Sequence, residues 1–253
     1  MAQPLIPADG PDVHEGHDGR KLGERIAEKL ERQIIKQGWP IGHVLGSETD
    51  LLAQLKISRA VLREAVRVLE HHGVATMRRG PGGGLVVTEP DPGAAVRASA
   101  LILEYMNATP HQIFEARSAL ELKCVELASE RIDEAGIIRL REVLAAEEQL
   151  QRGGSLGTHG LHTLLAELTG NPAFVLFIRV LTELTTGSSR GEQTSRAAAE
   201  VRVAHDKIAE AVIAGDTAVA RHRMQLHLAA IDAWMARPAR SVGGRQASAW
   251  QPC

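Results

Sequence analysis

The chain has 253 residues, 44% of them hydrophobic and 24% charged, with a formal net charge of −2. That length can bury a core without covalent staples, and two cysteines exclude a disulfide framework, which suits a reducing cytosol. No apolar run reaches a membrane-spanning length, and the opening MAQPLIPADGPDVHEGHDG lacks the basic-then-apolar order of a secretion signal. Charge is unevenly spread. Gly19 to Glu89 holds 12 Lys/Arg against 8 Asp/Glu, about +4, and leaves about −6 for the rest. A basic first third on an acidic body points to an anionic partner for the first third alone.

Residues 1–18 read as a mobile tail, being polar and without period. The spacing predicts a helix over 21–37, with Leu22, Ile26, Leu30 and Ile34 four apart. GSETDLLAQL starts a second helix, with Ser47 as N-cap and Asp50 three residues on. LKI, Leu55 to Ile57, is a tight turn. SRAVLREAVRVLEHHG is the third helix, capped by Ser58 and ended by Gly73. It places Arg59, Arg63 and Arg67 on one face and Leu62, Ala65, Val66 and Leu69 on the other. Arginines in a row on a protruding helix suit the major groove, where guanidinium groups bind guanine edges or phosphates. The plainer alternative is a solvated face with Arg63 and Arg67 paired to Glu64 or Glu70. VATMRR and LVVT read as two short strands.

RRGPGGGLVV, Arg78 to Val87, lies between those strands. A phosphate-binding loop needs Lys and Ser or Thr after its last glycine, and no Lys follows Gly84. A dinucleotide fingerprint needs a sixth-position glycine, but counting from Gly80 or Gly82 that residue is Leu85 or Val87. A hairpin tip fits better.

EPDPG, Glu89 to Gly93, marks a domain boundary, giving units over 19–89 and 90–238 and a second mobile tail over 239–253. Beyond it there is no strand signal. About six or seven helices follow, with starts at Thr109-Pro110, Asn171-Pro172 and Asp216 and stops at Gly170 and Gly215. Short loops between them describe an antiparallel bundle, so the chain is mostly α, a helix-turn-helix unit with a hairpin followed by an all-α bundle.

Eleven histidines are many for this length. His14 and His17 fall in a tail, and His71 and His72 end a helix. His205 and His227 stand about ten and eleven residues either side of the Gly215-Asp216 turn, which puts them at one level of an antiparallel pair. His222, five residues from His227, points elsewhere. His162 comes from another helix. Three imidazoles converging in a bundle suit Zn²⁺ or another divalent transition metal such as Ni²⁺, although on spacing alone ordinary histidines are the simpler reading.

The stretch GHVLGSETDLLAQLKISRAVLREAVRVLEHHGVATMRRGPGGGLVV resembles the winged helix-turn-helix of GntR-family transcription regulators. FEARSALELKCVELA, HTLLAELTGNP and AHDKIAEAVIAGDTAVARHRMQLHL resemble the FCD ligand-binding domain of its FadR subfamily. The resemblance implies a cytoplasmic homodimer on a palindromic operator in double-stranded DNA. It places Ser47, Thr49, Ser58, Arg59, Arg63 and Arg67 at the DNA, with Arg78, Arg79 and Gly80 on the wing. Gly46 stands where the family often has Pro, and Thr49 where it often has a DNA-reaching Arg.

In the second unit the resemblance implies metal ligands His162, His205 and His227. The family's acidic ligand falls at Thr158, a poor ligand, with His159 or water as alternatives. Arg117 matches a cavity Arg that holds an effector carboxylate; the alternative is an i,i+4 pair with Glu121. The function implied is a repressor of a metabolic operon that responds to a small carboxylate. A metal sensor is the runner-up. A three-histidine metalloenzyme ranks below both, because no general base or other catalytic residue is evident.

Overall fold

Alternating apolar residues every three or four positions make α1, Leu22–Lys36, and its stripe Ile26, Leu30 and Ile34 is buried. The computed structural model describes residues 21–152, 160–188 and 195–235. The first unit ends at Ala94 and the second begins at Ala95, just beyond the EPDPG break.

In the first unit α1 is followed by β1 (Val44–Gly46), α2 (Glu48–Leu55), α3 (Arg59–His71), β2 (Ala75–Arg78) and β3 (Gly84–Val87). Ser47 caps α2 in a reciprocal capping box: its hydroxyl accepts from the Asp50 N–H, and the Asp50 carboxylate accepts from the Ser47 N–H. Lys56 ends that helix in the left-handed conformation, and Ser58 caps α3 two residues later. This makes the turn of the helix-turn-helix as short as the sequence indicates. Leu51, Leu55, Leu62 and Leu69 meet the α1 stripe in one core together with Leu85.

The sheet has three strands rather than two, in the order β1-β3-β2, all antiparallel. β1 carries no alternation over its three residues; it exists because β3 offers it a partner, with Val44 opposite Val86 and Gly46 opposite Leu85. The β2–β3 hairpin pairs Ala75 with Val87 and Arg78 with Gly84. Its tip is therefore Arg79 to Gly83. Gly84 belongs to the ladder, where a Cβ would stand 2.4 Å from the Gly46 carbonyl oxygen. Its φ of +146° is a second reason for glycine there.

The second unit is all helix among the described residues: α4 (Pro92–Tyr105), α5 (Pro110–Arg131), α6 (Glu134–Arg152), α7 (Gly160–Leu168), α8 (Pro172–Ser188), α9 (Ser195–Ile213) and α10 (Thr217–Met235). The number agrees with the six or seven expected, and the punctuation fits the starts of α5, α8 and α10 and the ends of α7 and α9. Thr109 and Gln112 form a capping box ahead of Pro110, and Asp216 accepts from the Val219 N–H at the head of α10. The long α5 is central and packs on α7, α8, α9 and α10. Phe114, Val125 and Ala128 of α5 join Leu140, Leu161, Leu165, Ile208, Val212 and Met224 in the main core. Two charged residues, Arg117 and Glu121, lie in the same buried stripe of α5.

Replacing Gly84 by Ala forces a methyl group against the Gly46 carbonyl and strains φ. The expected cost is about 1–3 kcal/mol, read as an earlier thermal unfolding transition by circular dichroism; an unchanged melting curve contradicts the assignment.

Candidate functional site

Two constellations stand out, one in each unit. In the first, the solvent face of α3 carries Arg59, Arg63 and Arg67, all exposed, while Leu62, Ala65, Val66 and Leu69 are buried behind them. Among the described residues none of the three arginines has an ion pair. The two acids that could neutralise them are engaged elsewhere. Glu70 accepts from the Thr76 hydroxyl and the Met77 N–H at the start of the hairpin. Glu64 lies against α1, so close to Gly23 that a Cβ there would meet its side chain at 2.5 Å. Thr49, Ser58, Arg78, Arg79 and Gly80 are exposed as well, and Ser47 is half-buried with its hydroxyl committed to the cap. The basic surface is thus a helix face and a hairpin tip with free guanidinium groups.

In the second unit, His162 on α7, His205 on α9 and His227 on α10 come together in the bundle interior. All three are buried, His205 completely. One ring nitrogen from each could ligate a metal, and these three atoms lie within 4.8 Å of one another. His205 Nε2 is 3.2 Å from His227 Nε2, which is 3.4 Å from His162 Nε2. Four-coordinate Zn²⁺ with Zn–N bonds of 2.0–2.1 Å separates neighbouring ligands by about 3.3–3.4 Å. The level predicted for His205 and His227 from their distances to the turn is the one observed. His222 is exposed, on another face of α10. Thr158 and His159 lie outside the described residues.

Electrostatics keep two of these rings neutral. Burial pushes the His227 imidazole down to about 2, assisted by His162 and His205 beside it. Burial also lowers His162, against the attraction of Glu121. Neutral imidazoles present a lone pair, as a metal requires.

Behind His162 stands a charged network that the histidine spacing gave no hint of. Glu121 Oε2 is 2.8 Å from His162 Nδ1. The pair is at ion-pair distance but outside hydrogen-bond angles, and neither atom has another hydrogen-bond partner. Arg117 Nε donates to Glu121 Oε1 at 2.6 Å, and Arg117 Nη1 to the Thr185 hydroxyl at 2.9 Å. Burial opposes ionisation of Glu121, but the His162 ring and the Arg117 guanidinium beside it outweigh that and hold the carboxyl at about 2. The Arg117–Glu121 pair expected as an alternative is therefore present, yet buried rather than on the surface. On α6, Glu147 Oε2 is 2.7 Å from His205 Nδ1. Both acids could have been found in the sequence: Glu121 falls on the apolar stripe of α5, and Glu147 continues the stripe of Leu140, Val143 and Leu144 on α6.

The donor set fits a divalent transition metal. Three imidazole nitrogens converge and are buried, while the orphaned Glu121 Oε2 and His162 Nδ1 supply a carboxylate behind one ring.

Comparison with known proteins matches each unit. A model of bacterial regulatory proteins of the gntR family covers residues 22–86, and an FCD domain model covers residues 112–230. The chain belongs to the GntR family, with an FCD domain as its second unit. It is 25% identical over 216 residues to the Exu regulon transcriptional regulator of Escherichia coli K12, covering 83% of this chain and 82% of that one. It is 26% identical to the HTH-type transcriptional regulator LutR of Bacillus subtilis, over 76% and 90% of the two chains. It is 27% identical to the HTH-type transcriptional repressor NanR of Edwardsiella tarda, over 62% of each. The fold matches a solved structure of Streptococcus agalactiae GntR with TM-score 0.65 at 21% identity, over 83% of this chain and 99% of that one. GntR-type proteins bind DNA, and this chain is a transcriptional regulator rather than an enzyme. Among the described residues no helix is long and apolar enough to cross a membrane.

Arg117→Ala leaves the buried Glu121 without the guanidinium that donates to its Oε1. Losing one partner of a buried pair costs about 3–5 kcal/mol, so urea unfolding should shift strongly to lower concentration. A shift no larger than that of a surface pair refutes the network.

Proposed function

We propose that the chain is a ligand-responsive repressor of a metabolic operon, working as a homodimer on a palindromic operator. The row of unpaired arginines on α3 carries the DNA half of this reading. Arg59 and Arg63, at the N-terminal end of the recognition helix, reach base edges and phosphates. Arg67, Ser47, Thr49 and Ser58 flank them, and Arg78, Arg79 and Gly80 bring the hairpin tip to the backbone or minor groove. The name of the NanR relative, a repressor, supports the direction of regulation.

The convergence of three buried Nε2 atoms carries the effector half. His162, His205 and His227 would hold a divalent transition metal, Zn²⁺ or Ni²⁺. Such an ion supplies a Lewis-acidic position for an oxygen ligand, here a small carboxylate. Arg117 is fixed by Glu121 and Thr185 and retains further N–H donors on its guanidinium for an anion. The effector acts by preferring one dimer geometry, in which the two DNA heads fit or miss their half-sites. A tenfold change in operator affinity needs only about 1.4 kcal/mol of differential binding.

Arg63→Ala should abolish specific binding to genomic fragments selected by the wild-type protein, with an unchanged circular dichroism spectrum. Full affinity in a gel-shift titration rejects the recognition-helix assignment. Alanine at His162, His205 and His227 together should remove metal from protein purified without chelator, and equal metal content in the triple variant rejects the centre. Small carboxylates titrated against the metal-loaded protein should weaken operator binding at least tenfold. If the metal alone does so, with chelator reversing it, the ion is itself the signal.

A further inference from the structure

We propose that Glu147 is the positioning residue of the three-histidine centre, joining two of the ligand-bearing helices through one carboxylate. The inference rests on the metal reading above. Glu147 lies on α6, which supplies none of the three histidines. Its two oxygens face different elements. Oε2 is 2.7 Å from Nδ1 of the fully buried His205 on α9. Oε1 accepts the backbone N–H of Leu161 at 3.2 Å, and Leu161 immediately precedes His162 in the first turn of α7. That N–H is one of the donors a helix start leaves without an intrahelical partner.

The consequence for the centre is geometric. Which imidazole nitrogen binds a metal is set by the bond that the other one makes. With Nδ1–H of His205 donated to Glu147, the lone pair of His205 sits on Nε2, the atom 3.2 Å from His227 Nε2. The other oxygen holds the start of α7 against α6, at a place where Gly160 admits the approach: a Cβ there would meet Val143 Cγ1 at 3.0 Å and Glu147 Oε1 at 3.4 Å. Ring orientation on α9 and the position of His162 on α7 thus share one anchor. Glu147 stands behind the His205 ring, on Nδ1, so it acts through a ligand and is not one itself.

The test compares wild type with Glu147→Gln and with Glu148→Gln, whose neighbouring acid pairs instead with Arg202 at 3.0 Å. Co²⁺ is titrated into the full-length apoprotein and followed by its visible absorption, and Zn²⁺ affinity is measured by competition with a chromophoric chelator. Glu147→Gln should weaken both metals about 10–100-fold and alter the Co²⁺ spectrum, with the apoprotein melting near wild type and Glu148→Gln unchanged throughout. Wild-type affinity and spectrum in Glu147→Gln overturn the proposal while leaving the metal centre standing. A wild-type protein that gives no Co²⁺ band overturns the metal reading and this inference with it. Imidazole ¹⁵N shifts of the wild-type apoprotein give a check free of any variant: His205 should carry its proton on Nδ1, and a proton on Nε2 instead refutes the anchor.

Discussion

The burial of ionisable groups in the FCD bundle is the constraint on which the rest of that unit depends. Three imidazoles, a guanidinium and a carboxylate lie inside a core made mainly of Leu, Ile, Val, Ala, Met and Phe. Unpaired, such groups would cost several kcal/mol each. The bundle meets the cost by arrangement. Arg117 and Glu121, one turn apart on α5, neutralise each other, and Thr185 on α8 takes a further guanidinium donor. Burial drives His162 and His227 to the neutral form. Each helix must then hold its rotation and depth closely, because a small slip would break charged contacts rather than apolar ones.

That rigidity is also what a sensing site needs. A ligand shifts a conformational equilibrium only through differential contacts, and differential contacts require groups held in place. The α5 helix touches α7, α8, α9 and α10, so it spans the network from Arg117 to His162. Any change at the histidines is felt by a helix that packs on most of the bundle.

The DNA-binding unit follows the opposite logic. Among the described residues its buried core is apolar, and the arginines of α3 face solvent. The acids nearest the arginine row are diverted: Glu70 to the hairpin backbone, and Glu64 to the α1 contact at Gly23. Arg59, Arg63 and Arg67 remain available to an anionic partner. Gly84 lets β3 approach the Gly46 carbonyl of β1 at a separation that no side chain would allow, which seats the wing beside the helix-turn-helix.

Local signals in the sequence determined much of this. Caps at Ser47, Ser58 and Thr109, the apolar stripes and the glycine and proline punctuation act within a few residues, so α1 to α3, the hairpin and the seven bundle helices were legible. Equal spacing from the Gly215-Asp216 turn placed His205 level with His227, because an antiparallel pair converts sequence distance directly into height. Only the tertiary structure decided what depends on partners distant in the chain. Strand β1 has too few residues to show alternation, and it forms because β3 binds it. The carboxylates behind the histidines, Glu121 and Glu147, lie 41 and 58 residues from the rings they face. Their places on apolar stripes hinted at burial, but no local pattern names the ring on the facing helix, since packing between helices sets that choice.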